Sequence, residues 1–176
     1  TDNETPLAGV VRRQTESMRE NVEHYLKRAQ AAARAEALGA RTETGPVIDG
    51  LVRLLNRLFD DKGVDVTRSD TLSLVFRGEK QDFEEMLGNL MDNACKWASS
   101  CVVVTMSTSD AGMFQIDVED DGPGLTPEER EAALKRGVRL DETAPGSGLG
   151  LDIVNELAEL HAGRLELSIS DLGGLR

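Results

Sequence analysis

Asn89, Asn93 and Lys96 stand four and three residues apart in QDFEEMLGNLMDNACKWA, residues 81–98, where apolar residues recur at helical spacing. Positions three and four apart share a helical face, so Glu85, Asn89, Asn93 and Lys96 or Trp97 form one polar stripe. Phe83, Met86, Leu87, Leu90 and Ala94 form the apolar face beside it. Two amide oxygens suit a hard cation such as Mg²⁺, which keeps several waters and draws most of its charge compensation from phosphates. A lysine adds a point charge for those phosphates. Taken alone, the stripe reads more readily as a solvated helix face.

Two further motifs reverse that balance. Asp120-Asp121-Gly122-Pro123-Gly124 ends an expected strand. A carboxylate there can accept a hydrogen bond from the exocyclic amine of adenine, while the glycines let backbone approach the base. Gly146, Gly148 and Gly150, with Leu149 between the last two, open a later helix. Backbone N–H groups and the positive end of that helix can meet phosphates. The spacing is G-x-G-x-G and no strand precedes it, which counts against a dinucleotide fingerprint. Singly these are an acidic turn and a plain loop. In this order and spacing the three motifs point to one nucleotide.

The elements that must position them follow from pattern and punctuation. Thr5-Pro6 starts a long helix, with Val11, Thr15, Met18, Val22, Tyr25, Ala29 and Ala32 as the seam of a helical bundle. Residues 39–45, GARTETG, read as a linker, and a new unit begins near Pro46 with a helix over 47–61 that ends at Lys62-Gly63. Residues 64–66 and 71–76 read as strands, and 101–107 with 113–119 as an antiparallel hairpin that delivers Asp120 to a strand end. Residues 121–147 are rich in Gly, Pro and charge and read as a mobile lid, holding one short helix begun by the capping box Thr126-Pro127-Glu128-Glu129. A helix over 150–162 with Gly163 as C-cap, a strand over 164–170 and a glycine turn complete the chain.

With 32 acidic against 20 basic residues among 176, the net charge is −12, which argues against nucleic acid and anionic membrane as direct partners. Aromatics are 3% of the chain, so the core must rest on Leu, Val, Ile, Met and Ala. Cys95 and Cys101 have neither zinc spacing nor a disulfide framework and read as free thiols in a reducing compartment. No apolar run has the length of a membrane span and no signal peptide is visible, so this stretch is expected to be soluble.

The three motifs together resemble the N box, G1 box and G2 box of the sensor histidine kinase ATP-binding domain, in the superfamily shared with Hsp90, gyrase and MutL. The strings DFEEMLGNLMDNACKW, VEDDGPGL and KRGVRLDETAPGSGLGL look closest to the PhoQ-type magnesium-responsive sensor kinases, and the resemblance runs from about Pro46 to the end. It implies an α+β fold, a two-layer sandwich in which helices cover one face of a mixed sheet, preceded by a long bundle helix. It implies ATP and Mg²⁺ as cofactors, with Asn93 the chief metal ligand and Asn89 assisting at metal or phosphate. Lys96 would hold a phosphate and Asp120 the adenine amine. Trp97, Gly122, Gly124, Gly146, Gly148, Leu149 and Gly150 would surround the nucleotide, and Arg136 and Arg139 would approach the γ-phosphate. Trp97 stands where the family usually carries Tyr or Phe, and no phenylalanine-rich F box is clear before the lid.

The Hsp90-like ATPases that share this pattern carry a glutamate at the position of Asn89, as base for the attacking water. An asparagine cannot take that proton, which favours phosphoryl transfer over hydrolysis. The expected function is therefore transfer of the γ-phosphate to a histidine, for relay to a response-regulator aspartate. His24 and His161 both lack the H-box context of an acceptor. The expected organisation is the second helix of a dimerisation hairpin in 1–38, the linker, and a catalytic domain in 46–176. Upstream, an H-box helix and a membrane-spanning sensor are expected in a homodimeric parent protein at a bacterial inner membrane. Two alternatives stand beside this: an anti-sigma-type serine kinase of the same fold, and a nucleotide-binding module without transfer activity.

Overall fold

The computed structural model describes residues 39–108, 113–134 and 149–176. The chain divides into two compact units, Thr1–Gly39 and Ala40–Arg176, and the second carries all three motifs. The expected bundle helix in residues 1–38, the tip of the hairpin and the second part of the expected lid, 135–147, lie outside the described residues.

Strand β1 (Thr42–Glu43) leads directly into helix α1 (Thr44–Leu58). Residues 39–45, read from composition as a linker, thus hold a strand and the first two residues of α1. The reason lies in two threonines. Thr42 Oγ1 donates to the Gly78 carbonyl at 2.9 Å and Thr44 Oγ1 to the Leu74 carbonyl at 3.0 Å, so both bury with their hydroxyls satisfied. α1 turns Val47, Ile48 and Leu55 inward. A 3₁₀ turn (Asp60–Lys62) ends it, closed by Gly63 at φ 71°, a left-handed conformation open to glycine.

Strand β2 (Asp65–Arg68) pairs parallel with β4 (Cys101–Thr108), and β4 pairs antiparallel with β5 (Phe114–Asp120), giving a mixed sheet of order β2-β4-β5. β2 is its edge, and Asn56 of α1 covers that edge as a peptide would: Nδ2 donates to the Val66 carbonyl at 2.7 Å and Oδ1 accepts from Val66 N–H at 2.9 Å. β3 (Val75–Phe76) pairs instead with β1. Residues 71–74, expected as strand, are a loop because Leu72 has other partners. Its N–H donates to Asp70 Oδ1 and its carbonyl accepts from Arg68, whose guanidinium also pairs with Asp70 at 2.9 Å and Asp49 at 3.0 Å.

Helix α2 (Lys80–Trp97) carries the asparagines, and helices α3 (Pro127–Ala133) and α4 (Gly150–Leu160) follow β5. Alternation along β4 buries Val102, Val104 and Met106, which join Ile48 and Leu55 of α1 and Leu87 and Met91 of α2 in one core. The class is α+β, with helices on one face of a mixed sheet, as the resemblance implies. None of the described helices is long and apolar enough to cross a membrane. The capping box of α3 forms as read, Thr126 Oγ1 accepting from Glu129 N–H at 3.2 Å and Glu129 Oε2 from Thr126 N–H at 2.8 Å.

Two expectations near the C-terminus change. Residues 164–170 form no ladder beyond a single bridge between Ile169 and Leu175, because the chain turns back at once: Ser168 and Arg176 exchange backbone hydrogen bonds at 2.6 and 2.8 Å. The left-handed residue closing α4 is Ala162, at φ 57°, rather than Gly163. Gly163 N–H reaches the Ala158 carbonyl at 2.8 Å and Ala162 N–H the Glu159 carbonyl at 3.0 Å, the paired bonds of a Schellman motif. His161, which lacks the context of an acceptor, shares a part-buried hydrogen bond of 2.9 Å with Asp82 and ties the end of α4 to the first turn of α2.

An alanine held left-handed stores about 1–2 kcal/mol that glycine would not. Ala162→Gly is therefore expected to raise unfolding stability by roughly 0.5–1 kcal/mol after its greater unfolded-state entropy is subtracted. The measurement is the urea midpoint at unchanged slope; a lower midpoint would refute the strain.

Candidate functional site

The stripe on α2 is oriented by its own backbone. Asn89 Nδ2 donates to the Glu85 carbonyl at 2.7 Å, one turn back, which fixes which way its amide faces. Gly150, at the start of α4, lies against both asparagines: a Cβ there would stand 3.1 Å from Asn89 Oδ1 and 3.5 Å from Asn93 Nδ2. The two amides and the last glycine of the third motif therefore occupy one place, and a Cβ there would press on the Asn89 amide. Leu149 precedes α4 as its N-cap without a side-chain cap hydrogen bond. Lys96 is partly exposed and ion-paired with Asp92 at 2.6 Å. The Trp97 ring is half exposed.

Asp120 ends β5 and is 4% exposed. Burial pushes its pKa above the ordinary carboxylate value, and the N–H groups of Gly122 and Leu175, donating to Oδ1 at 2.8 and 3.3 Å, oppose that. Among the described residues Oδ2 has no hydrogen bond. Backbone bonds on both sides hold the residue, its N–H to the Leu175 carbonyl at 3.0 Å and its carbonyl from Gly174 N–H at 3.1 Å. Gly174 admits no Cβ, which would overlap Asp120 Oδ1. Gly122 admits none either: its Cβ would stand 2.5 Å from the Trp97 carbonyl oxygen, so the loop after β5 presses directly on the end of α2. Gly124 takes φ 67°.

Sequence reasoning missed three parts of this arrangement. Asp121 reads as a neighbour of the binding acid, yet its carboxylate is a clamp. It accepts from the N–H groups of Ser99 (2.8 Å), Ser100 (3.0 Å) and Cys101 (3.1 Å) and from Ser100 Oγ (2.6 Å). Against the cost of desolvation, those bonds hold it well below the usual carboxylate range. Lys62 Nζ donates to the carbonyls of Cys95, Lys96 and Ala98 at 2.8, 2.6 and 3.0 Å, closing the end of α2. The third is the Gly174-Leu175 grip on Asp120. Lys62-Gly63 was legible only as the end of α1, and no local signal marks the other two.

The structure thus brings together Asn89, Asn93 and Gly150 on one side, and Trp97, Asp120 and Gly122 on the other, at the two ends of the same stretch of α2. Arg136, Arg139, Gly146 and Gly148 lie outside the described residues. No group of three His, Cys, Asp or Glu side chains that could hold a metal occurs among the described residues. A cation here would depend on amide oxygens and on an anion arriving with it, which fits the donor set of the stripe. Cys95 is no nucleophile: burial, then Asp92, pushes its thiol up to about 11.

Residues 78–176 match the model of the histidine kinase-, DNA gyrase B-, and HSP90-like ATPase family. The sensor protein kinase CarS of Pseudomonas aeruginosa is 42% identical over 171 residues, covering 97% of this chain and 38% of that protein. The sensor protein PhoQ of Escherichia coli K12 is 34% identical over 167 residues, covering 95% of this chain and 34% of that one. The chain therefore spans little more than a third of the length of these relatives. Among solved structures, the ATP binding domain of PrrB from Mycobacterium tuberculosis superposes with a TM-score of 0.65 at 25% identity, covering 78% of this chain and 91% of that one.

The Asp121 clamp gives a pH dependence of known sign. Its folded pKa lies below its unfolded one, so its contribution to stability is complete above the ordinary carboxylate pKa and declines as pH falls through it. The stability difference between the wild type and Asp121→Asn, read from urea midpoints, is expected to be constant above about pH 5 and to shrink below about pH 4. A difference independent of pH would remove the clamp.

Proposed function

The chain belongs to the histidine kinase-, DNA gyrase B-, and HSP90-like ATPase family, and on that premise we propose that it binds Mg-ATP and serves as the catalytic portion of a two-component sensor histidine kinase. The observation that supports the reading is the close approach of Gly150 to Asn89 and Asn93, since a helix start beside two amides suits a metal-bound polyphosphate. Asp120, buried with Oδ2 outside any described hydrogen bond, suits the exocyclic amine of adenine at the other end.

Magnesium bound with the nucleotide supplies charge neutralisation on the phosphates. Asn93 offers it an amide oxygen, and Asn89 assists at metal or phosphate. Lys96 exchanges Asp92 for a phosphate oxygen, and the exposure of that ion pair keeps the exchange low in energy. Gly122 and Gly124 let the backbone approach the base beside Trp97; Gly146, Gly148, Leu149 and Gly150 line the phosphates. Arg136 and Arg139 stabilise charge at the γ-phosphate. With asparagine at position 89 no side chain of the stripe takes a proton from water there, so the γ-phosphate passes to a protein group, a histidine on a dimerisation helix.

In this reading residues 1–38 are the second helix of that dimerisation hairpin, and residues 46–176 the catalytic domain with a lid over 121–147. The parent is a homodimeric bacterial inner-membrane sensor with this portion in the cytoplasm, and a response-regulator receiver domain takes the phosphate. CarS is a sensor protein kinase and PhoQ a sensor protein, which supports the sensor-kinase part of this reading. A binding module without transfer activity is the second reading, since the H-box context is missing around His24 and His161.

Incubation of the chain with labelled ATP and a separate H-box helix separates the two. The expected product is an acid-labile phosphohistidine on that helix; an acid-stable phosphoserine points to the serine kinase, and no label to the binding module. For the site itself, Asn93→Ala is expected to abolish Mg²⁺-dependent ATP affinity in calorimetric titration, and undiminished binding would overturn the metal assignment.

A further inference from the structure

The turn between α2 and β4 is held from both sides by charges that belong to neither element. On the carbonyl side stands Lys62. Its ammonium has three N–H donors and commits all three, to the carbonyls of Cys95, Lys96 and Ala98. A cation there also meets the negative end of the α2 dipole. On the amide side stands Asp121, whose carboxylate takes the N–H groups of Ser99, Ser100 and Cys101 and the Ser100 hydroxyl. Neither charge is available to a ligand, because each is consumed by backbone.

What they hold is the boundary of the proposed site. Asp121 sits between Asp120 and Gly122, so its clamp draws the loop after β5 onto the end of α2, where Gly122 meets the Trp97 carbonyl. That carbonyl lies between those of Lys96 and Ala98, both gripped by Lys62. Lys96 and Asn93 lie within the same last turns of α2. The acid proposed for the base and the groups proposed for the metal and phosphates are thus registered through one short turn.

We propose that Lys62 and Asp121 are positioning residues for nucleotide binding, a two-sided staple that fixes Asp120 at a set distance from Asn93 and Lys96. The proposal rests on the Mg-ATP reading above. A ligand gripped at both ends needs the grips in register, because grips that are not pre-organised lose affinity to the cost of ordering them on binding. The staple supplies that register without touching the ligand.

The test is calorimetric titration of the 176-residue chain with Mg-ATP, at a temperature where circular dichroism shows each variant fully folded. The wild type is expected to bind. Lys62→Met is expected to raise Kd about tenfold, Lys62→Arg to restore binding to within about threefold of wild type, since a guanidinium still donates to carbonyls. Asp121→Asn, of the same shape, reads the other side of the staple and is expected to weaken binding in the same direction. The double variant should lose less than the product of the single losses if both act on one turn. Wild-type Kd in folded Lys62→Met and Asp121→Asn overturns the staple while leaving the nucleotide reading intact. Failure of the wild type to bind Mg-ATP overturns both.

Discussion

Everything at the site depends on backbone meeting its neighbour with no side chain between. Gly122 rests on the Trp97 carbonyl, Gly150 on the amides of Asn89 and Asn93, and Gly174 on the Asp120 carboxylate. A single added carbon at Gly122 or Gly174 would have to displace backbone or a buried carboxylate, neither of which yields as a flexible side-chain tip does. Glycine costs entropy wherever it is ordered, so three of them at three contacts are a poor choice for stability alone. The contacts make sense as the means of bringing a strand end, a helix flank and a helix start within reach of one molecule.

The electrostatics of the site follow from the same close approach. A chain of net charge −12 would repel a triphosphate at a distance, so affinity has to be generated locally. The cations near the site are mostly committed: Lys62 to three carbonyls and Lys96 to Asp92. Neutral amides, backbone N–H groups at a helix start and a metal arriving with the phosphates fill that role on the proposed reading. Against desolvation, the N–H groups of Gly122 and Leu175, and to a smaller extent the Lys62 charge, favour Asp120 as a buried acceptor.

Short-range signals carried most of what could be read from the residues. The α2 stripe, the β4–β5 hairpin and the α3 capping box depend on neighbours a few residues away, and they formed within a residue or two of expectation. The departures have three causes: a partner remote in sequence, a side-chain bond within four residues that outcompetes a strand, and a turn set one residue off. Thr42 and Thr44 are buried because carbonyls at Gly78 and Leu74 take their hydroxyls. Leu72 leaves the strand because Arg68 and Asp70 take its peptide groups. Ala162 bears the left-handed turn because the Schellman pair falls one residue earlier than the glycine suggested. Lys62 and Asp121 were invisible because charge is legible in a sequence, but its partner is not.

The choice between transfer and hydrolysis also reaches back to a local bond. Asn89 is oriented by donating Nδ2 to the Glu85 carbonyl, and a donor is what a carboxylate lacks. A glutamate at this position, as in the Hsp90-like pattern, could not make that bond; its charge would face a carbonyl oxygen and turn away from it. The amide at this position is thus held by the backbone one turn back along α2. The side chain that this bond orients has no general base to offer water, which is the premise of the transfer chemistry proposed above.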